Sequence, residues 1–582
     1  MLGKTSAIYE VFGSELEIVK MIDHLAKLHP CEIAIESASE TVRYCDLVCA
    51  SRDLAERIVK TIEPNGFVGI EANRDPVAII AILAALRAQR PFVVIDPRDG
   101  DELNQRKISE LRLNHFIRAD SPVSAVALSP TPKAWNNGKV FSPREELTTL
   151  QGQIAYAIHT SGSTGKPKCV LVGYEGLSAV IKDHVRRLDI GLRSRTLQFA
   201  KLTFDGCLTE IFWTLCAGGC LVLVDEVELM PGEQLQETLE HHHITHLKTT
   251  PFALTATQPS NRMRLQHVIN GGGACRQSSV KKWGSIATFH NAYGCTETTI
   301  CNLLSDGLVE ESCNDGIPLG RTVGNCQIQI DCDDASSLAS RGELVVTGDS
   351  VGIGYLCEDG VEAFQNANGK SIYFSGDLVE KRSNEIYFVE RIDRQVKVRG
   401  YRIDPGEIED LICQIEGIDE AVIVADRHVS EDGDDAADTL LCYFQGEAQT
   451  RTLRECLNSQ LPHYKVPSVF KRLTSLPYTK NGKVDRNALQ DLRVVKEPDT
   501  NDLSPREEIL DLVRHLTGTE DAAEEDNFFD IGGDSASAII LLKKLKELGW
   551  TTAGVRDVIR AEQLRDLISG VEESEETARC VV

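Results

Sequence analysis

The sequence predicts a multidomain α/β protein, in which a large N-terminal part with mixed, largely parallel sheets and a β-rich section precedes a small α+β part and an all-α part. Three patterns lead to this prediction. Strand-like and helical segments alternate in residues 1–150, short glycine-containing strands follow from Gly342, and residues 504–570 are helical in pattern almost throughout. At about 100–200 residues per domain, a chain of 582 residues has room for several such units.

The alternation is clearest between Gly66 and Asp96. Residues 66–71 and 91–96 are short apolar runs typical of buried strands, and residues 75–87 repeat apolar side chains at a helical spacing. A strand, a helix and a strand with short connections indicate a βαβ unit with parallel strands. The pattern resumes after residue 151 and continues to about 330, with further strands expected at 220–225 and 267–270.

Beyond Gly342 the elements become shorter. Residues 343–347, 372–374 and 385–388 predict strands of the β-rich section, and the composition changes again after Asp393. A polar, proline-containing stretch then indicates a linker before the helical part. The predicted segments are 1–392, 393–492 for the small α+β part, 493–503 for the linker, 504–570 for the helical part and 571–582 for a disordered acidic tail.

Composition and charge narrow the class of partner. Hydrophobic residues make up 42% of the chain, as in ordinary globular proteins, and the formal charge is −26. Since no basic stripe offsets this charge, we expect no nucleic-acid partner. The longest apolar stretch, residues 76–97, is interrupted by charges, and residues 1–10 lack the core of a secretion signal, so we expect no membrane span and no export. With 18 cysteines but no Cys-x-x-Cys pair, we expect free thiols and a cytoplasmic location.

The strongest local motif is TSGSTGKPK, which follows a strand-like run at residues 154–158. Its glycines let the backbone turn tightly and present N–H groups, and its hydroxyls and lysines suit a polyanion such as a nucleotide triphosphate. The spacing differs from that of a Walker A loop, and a flexible hairpin is the alternative interpretation. The candidate phosphate-binding residues are Thr160, Ser161, Gly162, Ser163, Thr164, Gly165, Lys166 and Lys168.

Four further segments follow this loop in a fixed order. They are NAYGCTE at 291–297, YFSGDL at 373–378, RIDRQVKVRGYRIDPGEIE at 391–409 and NGKVDR at 481–486. Together with the loop, they resemble the ordered motifs of the adenylation domains of nonribosomal peptide synthetases, which are adenylate-forming enzymes. The similarity covers about residues 10–492 and implies a large N-terminal subdomain and a small, mobile C-terminal subdomain.

The resemblance implies a reaction in which a carboxylate attacks the α-phosphorus of ATP and expels pyrophosphate. Lys483 would bridge the two anions, because their approach requires a positive charge between them. Thr296 would contact the α-phosphate, and Glu297 would hold Mg²⁺ through oxygen. On residue type alone, a surface lysine or carboxylate is the simpler interpretation of these positions. The motif context favours catalysis.

The remaining nucleotide-site positions are also implied by the resemblance. Tyr293 would stack on adenine, and Asp377 and Arg391 would lie at the ribose. Asn291 belongs to the same set, and Asp393 is the hinge about which the small subdomain would rotate to admit a thiol. Three residues depart from the family pattern and put the local geometry in question: Cys169 replaces a glycine, Cys295 a proline and Phe374 an arginine.

The segment FDGCLTE at 204–210 resembles the opening of the family's substrate pocket. Asp205 aligns with the acid that pairs with an α-ammonium group, which implies an α-amino acid. The other aligned positions are Gly206, Thr209, Lys248, Ile269, Gly271, Ala292, Ile300 and Cys301. Lys248 favours an acidic or amide side chain because a lysine in an apolar pocket needs a partner, but the last three positions resemble phenylalanine-type pockets, and Lys248 could extend to solvent.

A cluster of histidines offers a competing metal hypothesis. On a helix, His242 and His246 would share one face, with His241 and His243 beside them. No cysteine or carboxylate nearby completes a ligand set, and the segment is typical of the end of a surface helix. Metal binding is therefore the less favoured interpretation.

The helical part contains DNFFDIGGDS at 526–535, which resembles the phosphopantetheine attachment motif of thiolation, or peptidyl carrier, domains. The resemblance implies a four-helix carrier domain with 4′-phosphopantetheine on Ser535. Ser535 lies in a polar turn before an amphipathic helix predicted at 538–548. A simple helix N-cap is the alternative role for this serine, but it does not explain the paired Phe528 and Phe529.

These resemblances imply an adenylation–thiolation ligase that activates an amino acid with ATP and Mg²⁺ and loads it onto its own carrier in secondary metabolite biosynthesis. The implied partners are a phosphopantetheinyl transferase and a separate downstream enzyme that accepts the thioester. Two alternatives stay open: a stand-alone acyl- or aryl-coenzyme A ligase, and a carrier or scaffold whose adenylation part is inactive.

Overall fold

The computed structural model divides into two compact units, of which the first ends at Arg394 and the second begins at Gln395, with the short segment 226–230 grouped with the second. The structure describes residues 17–118, 126–136, 138–142, 144–150, 152–160, 168–314, 316–332, 340–367, 369–398, 400–429, 435–478, 484–491, 504–517, 519, 522–533, 535–550 and 553–571. Within these ranges, no helix is both long enough and apolar enough to cross a membrane.

The first unit contains an eight-stranded mixed sheet. Its central strands are parallel and its outer pairs antiparallel. Along the sheet the strands are β19 (Gly360–Ala363), β18 (Gly354–Cys357), β8 (Lys168–Gly173), β7 (Ile154–Thr160), β4 (Phe92–Ile95), β3 (Val68–Glu71), β5 (His115–Ile117) and β6 (Leu128–Pro130).

A nine-stranded sheet lies in the same unit, and its six central strands are parallel. Because the carboxyl ends of neighbouring parallel strands meet at one edge, residues that follow β11, β12 and β13 are brought together there. Along the sheet the strands are β15 (Arg321–Thr322), β14 (Leu303–Leu304), β13 (Thr288–Tyr293), β12 (His267–Asn270), β11 (His246–Thr249), β9 (Arg195–Leu197), β10 (Cys220–Val222), β1 (Ile33–Glu36) and β2 (Thr41–Arg43).

One continuous apolar core contains side chains from both sheets and from several helices between their strands. The predicted βαβ unit is confirmed: β3 and β4 are parallel, and the connecting helix is α3, whose N-cap Asp75 accepts a hydrogen bond from the Ala78 N–H. The helices of this unit are α1 (Glu17–Leu28), α2 (Tyr44–Thr61), α3 (Pro76–Arg87), α4 (Asp101–Leu111), α5 (Lys133–Asn136), α6 (Tyr174–Arg187), α7 (Gly206–Leu215), α8 (Glu233–His241), α9 (Pro251–Ala256) and α10 (Gln277–Gly284).

The predicted β-rich section is confirmed as a five-stranded antiparallel sheet. A single long strand, β21, replaces the short strand predicted at 372–374, and its register places Asp377 opposite Arg391. The strands are β16 (Gln327–Asp331), β17 (Ser340–Thr347), β20 (Gln365–Ala367), β21 (Lys370–Arg382) and β22 (Glu385–Arg391).

Three histidines stack across neighbouring strands of the nine-stranded sheet. The rings of His246 and His267 lie 5.1 Å apart and those of His267 and His290 lie 5.3 Å apart, and His267 Nδ1 is 3.0 Å from His290 Nε2. Burial lowers the pKa of all three, to about 4 for His246 and about 3 for His267. The stack is therefore neutral at pH 7.

His242 and His246 do not share a helical face, and the segment is the end of a helix, in agreement with the favoured interpretation. Helix α8 ends at His241, and His243 has a φ of 50°, a left-handed conformation that commonly terminates a helix. His246 then begins β11, where its ring nitrogens face Thr245 Oγ1 and the Leu188 carbonyl. The four histidines therefore do not form a common ligand face.

The second unit begins with a small α+β part. Its helices pack against the long β25–β26 hairpin, and a buried ion pair joins Lys465 Nζ to Glu407 at 2.9 Å. The strands are β23 (Val396–Val398), β24 (Tyr401–Ile403), β25 (Ile418–Val429), β26 (Asp435–Gly446) and β27 (Val469–Arg472), and the helices are α11 (Pro405–Ile412), α12 (Thr450–Gln460) and α13 (Arg486–Asp491).

The predicted all-α part is confirmed by four helices around an apolar core. Helix α15 begins at Ser535, three residues before the predicted start, because serine is well tolerated at the beginning of a helix. In the preceding turn, Gly532 has a φ of 107°, and a Cβ on Gly533 would overlap the ring of buried Phe528. The helices are α14 (Pro505–Thr517), α15 (Ser535–Glu547), α16 (Val555–Arg560) and α17 (564–571).

One buried arginine links the two parts of the second unit. Arg454 on α12 donates to the Ser468 carbonyl at 3.0 Å and to the Thr517 carbonyl, at the end of α14, at 2.7 Å. A Cβ at Gly532 would overlap its guanidinium. Nearby, Arg451 and Asp526 form a more exposed ion pair at 3.2 Å. Arg454 therefore joins the helical part to α12.

Candidate active site

A charged network occupies the junction of the nine-stranded sheet and the β-rich sheet. Arg391 Nη1 donates to Asp377 Oδ1 at 2.7 Å, and the hydroxyl of Tyr293, at the end of β13, donates to the other oxygen of Asp377. Arg391 Nε also donates to Asp393 at 2.7 Å. Burial, and then the charge of Asp377, raise the pKa of Tyr293, so the hydroxyl stays protonated. The structure therefore brings together three residues predicted at the adenosine site and the predicted hinge residue.

The turn before Asp377 depends on two residues that the sequence did not single out or explain. Gly376 has a φ of 71°, and a Cβ there would lie 2.7 Å from Arg391 Nη2. Its N–H donates to Glu343 on β17 at 2.7 Å. The sequence did not identify Glu343 as a site residue. The available signal was its charge directly before the apolar run of a central strand.

Asn291 lies at the same strand ends but uses its side chain inside the protein. Its Oδ1 accepts from Asn270 Nδ2 at 3.0 Å, and its Nδ2 donates to the Pro318 carbonyl at 3.2 Å. Its backbone N–H donates to Ser305 Oγ at 2.7 Å. This residue therefore fixes the turn that carries Tyr293, a supporting position next to the predicted nucleotide site.

Glu297 and Lys168 are connected through a tyrosine that the sequence analysis missed. Tyr355 on β18 donates to Glu297 Oε1 at 3.4 Å, and Lys168 Nζ lies 4.5 Å from the centre of the Tyr355 ring. Glu297 is buried, whereas Thr296 beside it is half-buried. The run Gly352-Ile-Gly-Tyr355 was the available signal, since paired glycines allow close packing of a strand against a site.

The backbone after this motif adopts an uncommon conformation. Thr299 and Ile300 have φ values of 60° and 68°, although β-branched residues rarely enter the left-handed region. Thr299 Oγ1 donates to the Ser350 carbonyl at 2.6 Å, which holds the turn in place. Such strain concentrates at functional sites, and here it places Ile300 and Cys301, two predicted pocket residues, on the wall of the apolar core.

Lys248 points into the predicted substrate pocket instead of extending to solvent. Its Nζ donates to Thr209 Oγ1 at 2.7 Å and to the Gly206 carbonyl at 3.3 Å. A Cβ at Gly206 would lie 3.6 Å from this Nζ, and one at Gly271 would lie 3.3 Å from Lys248 Cε. The two glycines therefore leave the space that the ammonium group occupies. Ile269 is paired with Lys248 on the next strand, and Ala292 packs on the same core.

Asp205 lies in front of helix α7, next to Lys248. Its Oδ2 is buried and has no hydrogen-bond partner among the residues that the structure describes. Burial raises its pKa to about 6, against the opposing effects of the Lys248 charge and a hydrogen bond from Thr296. A buried acceptor without a partner is unfavourable unless a ligand completes it. An ammonium group is the ligand that suits this carboxylate.

The three departures from the family pattern leave these contacts in place. Cys169 is buried on β8 and pairs with His159 on β7. Cys295 Sγ lies 3.1 Å from Thr298 Oγ1, within the turn that carries Thr296. Phe374 on β21 is 40% exposed. None of the three displaces Asp205, Glu297 or Asp377.

Several predicted residues lie outside the described part of the chain. Thr160 and Lys168 are described as the last pair of the β7–β8 hairpin, whose intervening residues are not. The side chain of Ser535 is likewise not described, although its backbone begins α15. The predicted residues outside the description are Ser161, Gly162, Ser163, Thr164, Gly165, Lys166 and Lys483.

Comparisons with known proteins identify the two parts. The family profile "AMP-binding enzyme" matches residues 22–356, and the profile "Phosphopantetheine attachment site" matches residues 507–570. Bacitracin synthase 3 of Bacillus licheniformis is 33% identical over 575 residues, which are 94% of this chain and 9% of that protein. Tyrocidine synthase 1 of Brevibacillus parabrevis is 29% identical over 566 residues, 91% of this chain and 50% of that protein. The chain thus spans at most half the length of these two relatives.

A solved structure has the same fold. The structure of holo-PA1221, described as an NRPS protein containing adenylation and PCP domains, matches with a TM-score of 0.77 and 23% identity. The match covers 95% of this chain and 96% of that one. The predicted fold class, from the α/β sheets to the helical C-terminal part, is therefore confirmed.

Proposed function

The chain belongs to the family of AMP-binding enzymes and carries a phosphopantetheine attachment site, and from this premise we propose that it activates an α-amino acid as its adenylate and loads it onto its own carrier part. The observation that carries the proposal is that the buried Oδ2 of Asp205 has no hydrogen-bond partner among the described residues. This oxygen lies in a pocket next to Glu297 and Thr296, the residues implied to act on ATP.

Activation joins a substrate carboxylate oxygen to the α-phosphorus of ATP and breaks the bond to the β-phosphate, so pyrophosphate leaves with the electron pair. Both reactants are anions, and positive charge with correct positioning therefore supplies most of the catalysis. Lys483 provides the charge at the reacting atoms by resemblance to the family. Asp377, held by Arg391 and Tyr293, accepts hydrogen bonds from the ribose, and its fixed geometry supports that role.

Asp205 selects an α-amino acid. Its second oxygen is buried and lacks a donor among the described residues, and the α-ammonium group of the substrate supplies one. Pairing would also remove the cost of burial that raises the pKa of the free carboxyl group to about 6. An acyl or aryl acid without an ammonium group leaves this cost uncompensated, which disfavours the ligase alternative.

Lys248 selects an acidic or amide side chain. Thr209 and the Gly206 carbonyl accept two of the three N–H donors of its ammonium group, and the third is directed to a substrate oxygen. Gly206 and Gly271 keep the surrounding space open. Aspartate, asparagine and their homologues are therefore the proposed substrates.

Glu297 would hold Mg²⁺, which prefers oxygen ligands and brings charge to the phosphates. The residue fits this role because its carboxylate supplies oxygen ligands and is buried within the motif, beside the hydroxyl of Tyr355. Ser535 fits attachment of phosphopantetheine because it begins α15 directly after a glycine-containing turn. When attached, this group supplies the thiol that receives the aminoacyl group. A phosphopantetheinyl transferase and a downstream acceptor enzyme in secondary metabolism are the proposed partners.

ATP–pyrophosphate exchange over a panel of amino acids tests the proposal. We expect exchange that depends on an α-amino acid and is strongest for acidic or amide side chains. Asp205→Asn should lower it at least about 30-fold, since breaking a buried charge pair costs about 2–5 kcal/mol. Asp101→Asn, at an exposed position of α4, is the matched control. Exchange with aryl or fatty acids alone would identify an acyl ligase, and no exchange with any acid would identify an inactive scaffold.

A further inference from the structure

Three side chains with different metal-binding atoms meet near the loop end of the β7–β8 hairpin. His159 on β7 and Cys169 on β8 are a directly opposed pair, and His159 Nε2 lies 3.1 Å from Glu110 Oε2 on α4. The carboxylate, imidazole and thiol atoms all lie within 4.8 Å of one another. We propose that Glu110, His159 and Cys169 form a binding site for a divalent ion of the zinc type, independent of the proposed adenylation activity.

The ligand atoms determine which ions fit. Zinc binds sulfur, nitrogen and oxygen in tetrahedral geometry, whereas magnesium prefers oxygen alone. Tetrahedral ligands at about 2.0–2.3 Å from zinc lie within about 4 Å of each other, so small side-chain rotations complete the set, and a water molecule takes the fourth position. Glu110 and His159 are half-buried, and the thiol of Cys169 is buried beside them.

Two of the three ligands can neutralise the charge of a divalent ion. Binding displaces the thiol proton to solvent, and the resulting thiolate and the Glu110 carboxylate neutralise the two positive charges of the ion. Two positively charged side chains lie nearby: Lys107, which is paired with Asp99 at 2.6 Å, and Arg144, which donates to the Glu110 carbonyl at 2.9 Å. Their charges would repel a metal site with a net positive charge, but not a site whose net charge is zero.

The position of the site links metal binding to the candidate phosphate loop. Thr160 follows His159 and Lys168 precedes Cys169, and Thr160 and Lys168 form the last described pair of the hairpin. An ion held by both strands and by α4 would fasten the ends from which the loop emerges. We therefore expect bound zinc to slow amide hydrogen exchange in Ile154–Thr160 and Lys168–Gly173.

Cobalt titration of the intact chain tests the site, because cobalt replaces zinc and a thiolate ligand gives a charge-transfer absorption band. Cys169→Ser should remove the absorption band that develops with the first equivalent of cobalt per chain. It should also lower the affinity for cobalt at least about tenfold, since even the loss of an outer-shell partner of a metal ligand costs that much. Cys31→Ser is the control, because Cys31 is an exposed thiol outside this cluster and should leave the band unchanged.

A second variant guards against misfolding of the first. Glu110→Gln keeps the shape of the side chain and should weaken cobalt binding and abolish the zinc-dependent slowing of exchange in the hairpin. Identical cobalt spectra for the wild type, Cys169→Ser and Glu110→Gln would overturn the proposal. Zinc binding that leaves amide hydrogen exchange in both strands unchanged would also overturn it. Neither result would bear on the ATP–pyrophosphate exchange assay, which tests the adenylation proposal separately.

Discussion

Replacement of Lys248 by methionine tests the proposed substrate preference. Methionine keeps the length and apolar stem of lysine but removes the ammonium group that donates to Thr209 and to the Gly206 carbonyl. The third donor, which we assign to the substrate side chain, is lost with it. Since the two flanking glycines leave the space around the stem open, Lys248→Met should fit without displacing the strands.

The size of the effect follows from the type of hydrogen bond. A hydrogen bond to a charged group is worth about 1.5–3 kcal/mol, and each 1.36 kcal/mol is tenfold in rate. The kcat/KM for aspartate or asparagine should therefore fall about 10- to 160-fold, while that for leucine or methionine should not fall. Preference is set by the ratio of these values, so it should turn toward apolar amino acids.

Pyrophosphate exchange with paired amino acids of similar size measures this ratio. Lys281→Met is the matched control because Lys281 is 68% exposed on α10, where it forms a surface ion pair with Glu310. Its preference should equal that of the wild type. If Lys248→Met retained the acidic or amide preference within a factor of about two, the assignment of Lys248 to the substrate side chain would be wrong.

Three further predictions rest on buried ionisable groups. Because burial raises the pKa of Asp205 to about 6, kcat/KM for the amino acid should fall about tenfold per pH unit below pH 6, and a pH profile flat to pH 5 would contradict this. Arg454→Ala should speed amide hydrogen exchange in α14 about 10- to 160-fold, because it removes the hydrogen bond from a charged group to the Thr517 carbonyl. Arg451→Ala breaks only an exposed ion pair and should change the exchange rate little. Equal effects of the two variants would contradict the role given to Arg454. The stack of His246 and His267 is neutral in the folded chain, whereas unfolded histidines take up protons below about pH 6.5. The free energy of unfolding should therefore be constant above about pH 6.5 and decrease as the pH falls toward 4. Thermal unfolding should show a smaller decrease for His267→Asn over that range, and an equal decrease would refute this prediction.

Local sequence patterns predicted the elements whose burial is set by their own residues. Helix α3 was recognisable because apolar side chains recur at a helical spacing through residues 75–87; the structure adds that Asp75 caps it. The strands on both sides were apolar runs of ordinary length. The order of motifs along the chain then indicated the family. The helix and the strands depend on short-range physics, and the structure contains them nearly as predicted, whereas the motif order indicated the family by resemblance alone.

Long-range pairing set the features that the sequence did not reveal. Tyr355 reaches Glu297 only because β18 pairs with β8, and Glu343 reaches Gly376 only because β17 pairs with β21. The direction of Lys248 depended on Thr209, which belongs to a helix and not to the strand of the lysine. His243 ended α8 through a backbone conformation that the histidine pattern did not signal.

The most direct measurement of the central proposal is the mass of the Ser535 peptide. Protein carrying phosphopantetheine is incubated with ATP, Mg²⁺ and aspartate or asparagine, and the intact arm is analysed after proteolysis. We predict one aminoacyl group on that arm, dependent on ATP, absent in Ser535→Ala and strongly reduced in Lys483→Ala. An arm that stays unacylated with every amino acid of the panel, in protein whose arm is intact, would contradict the proposed self-loading reaction.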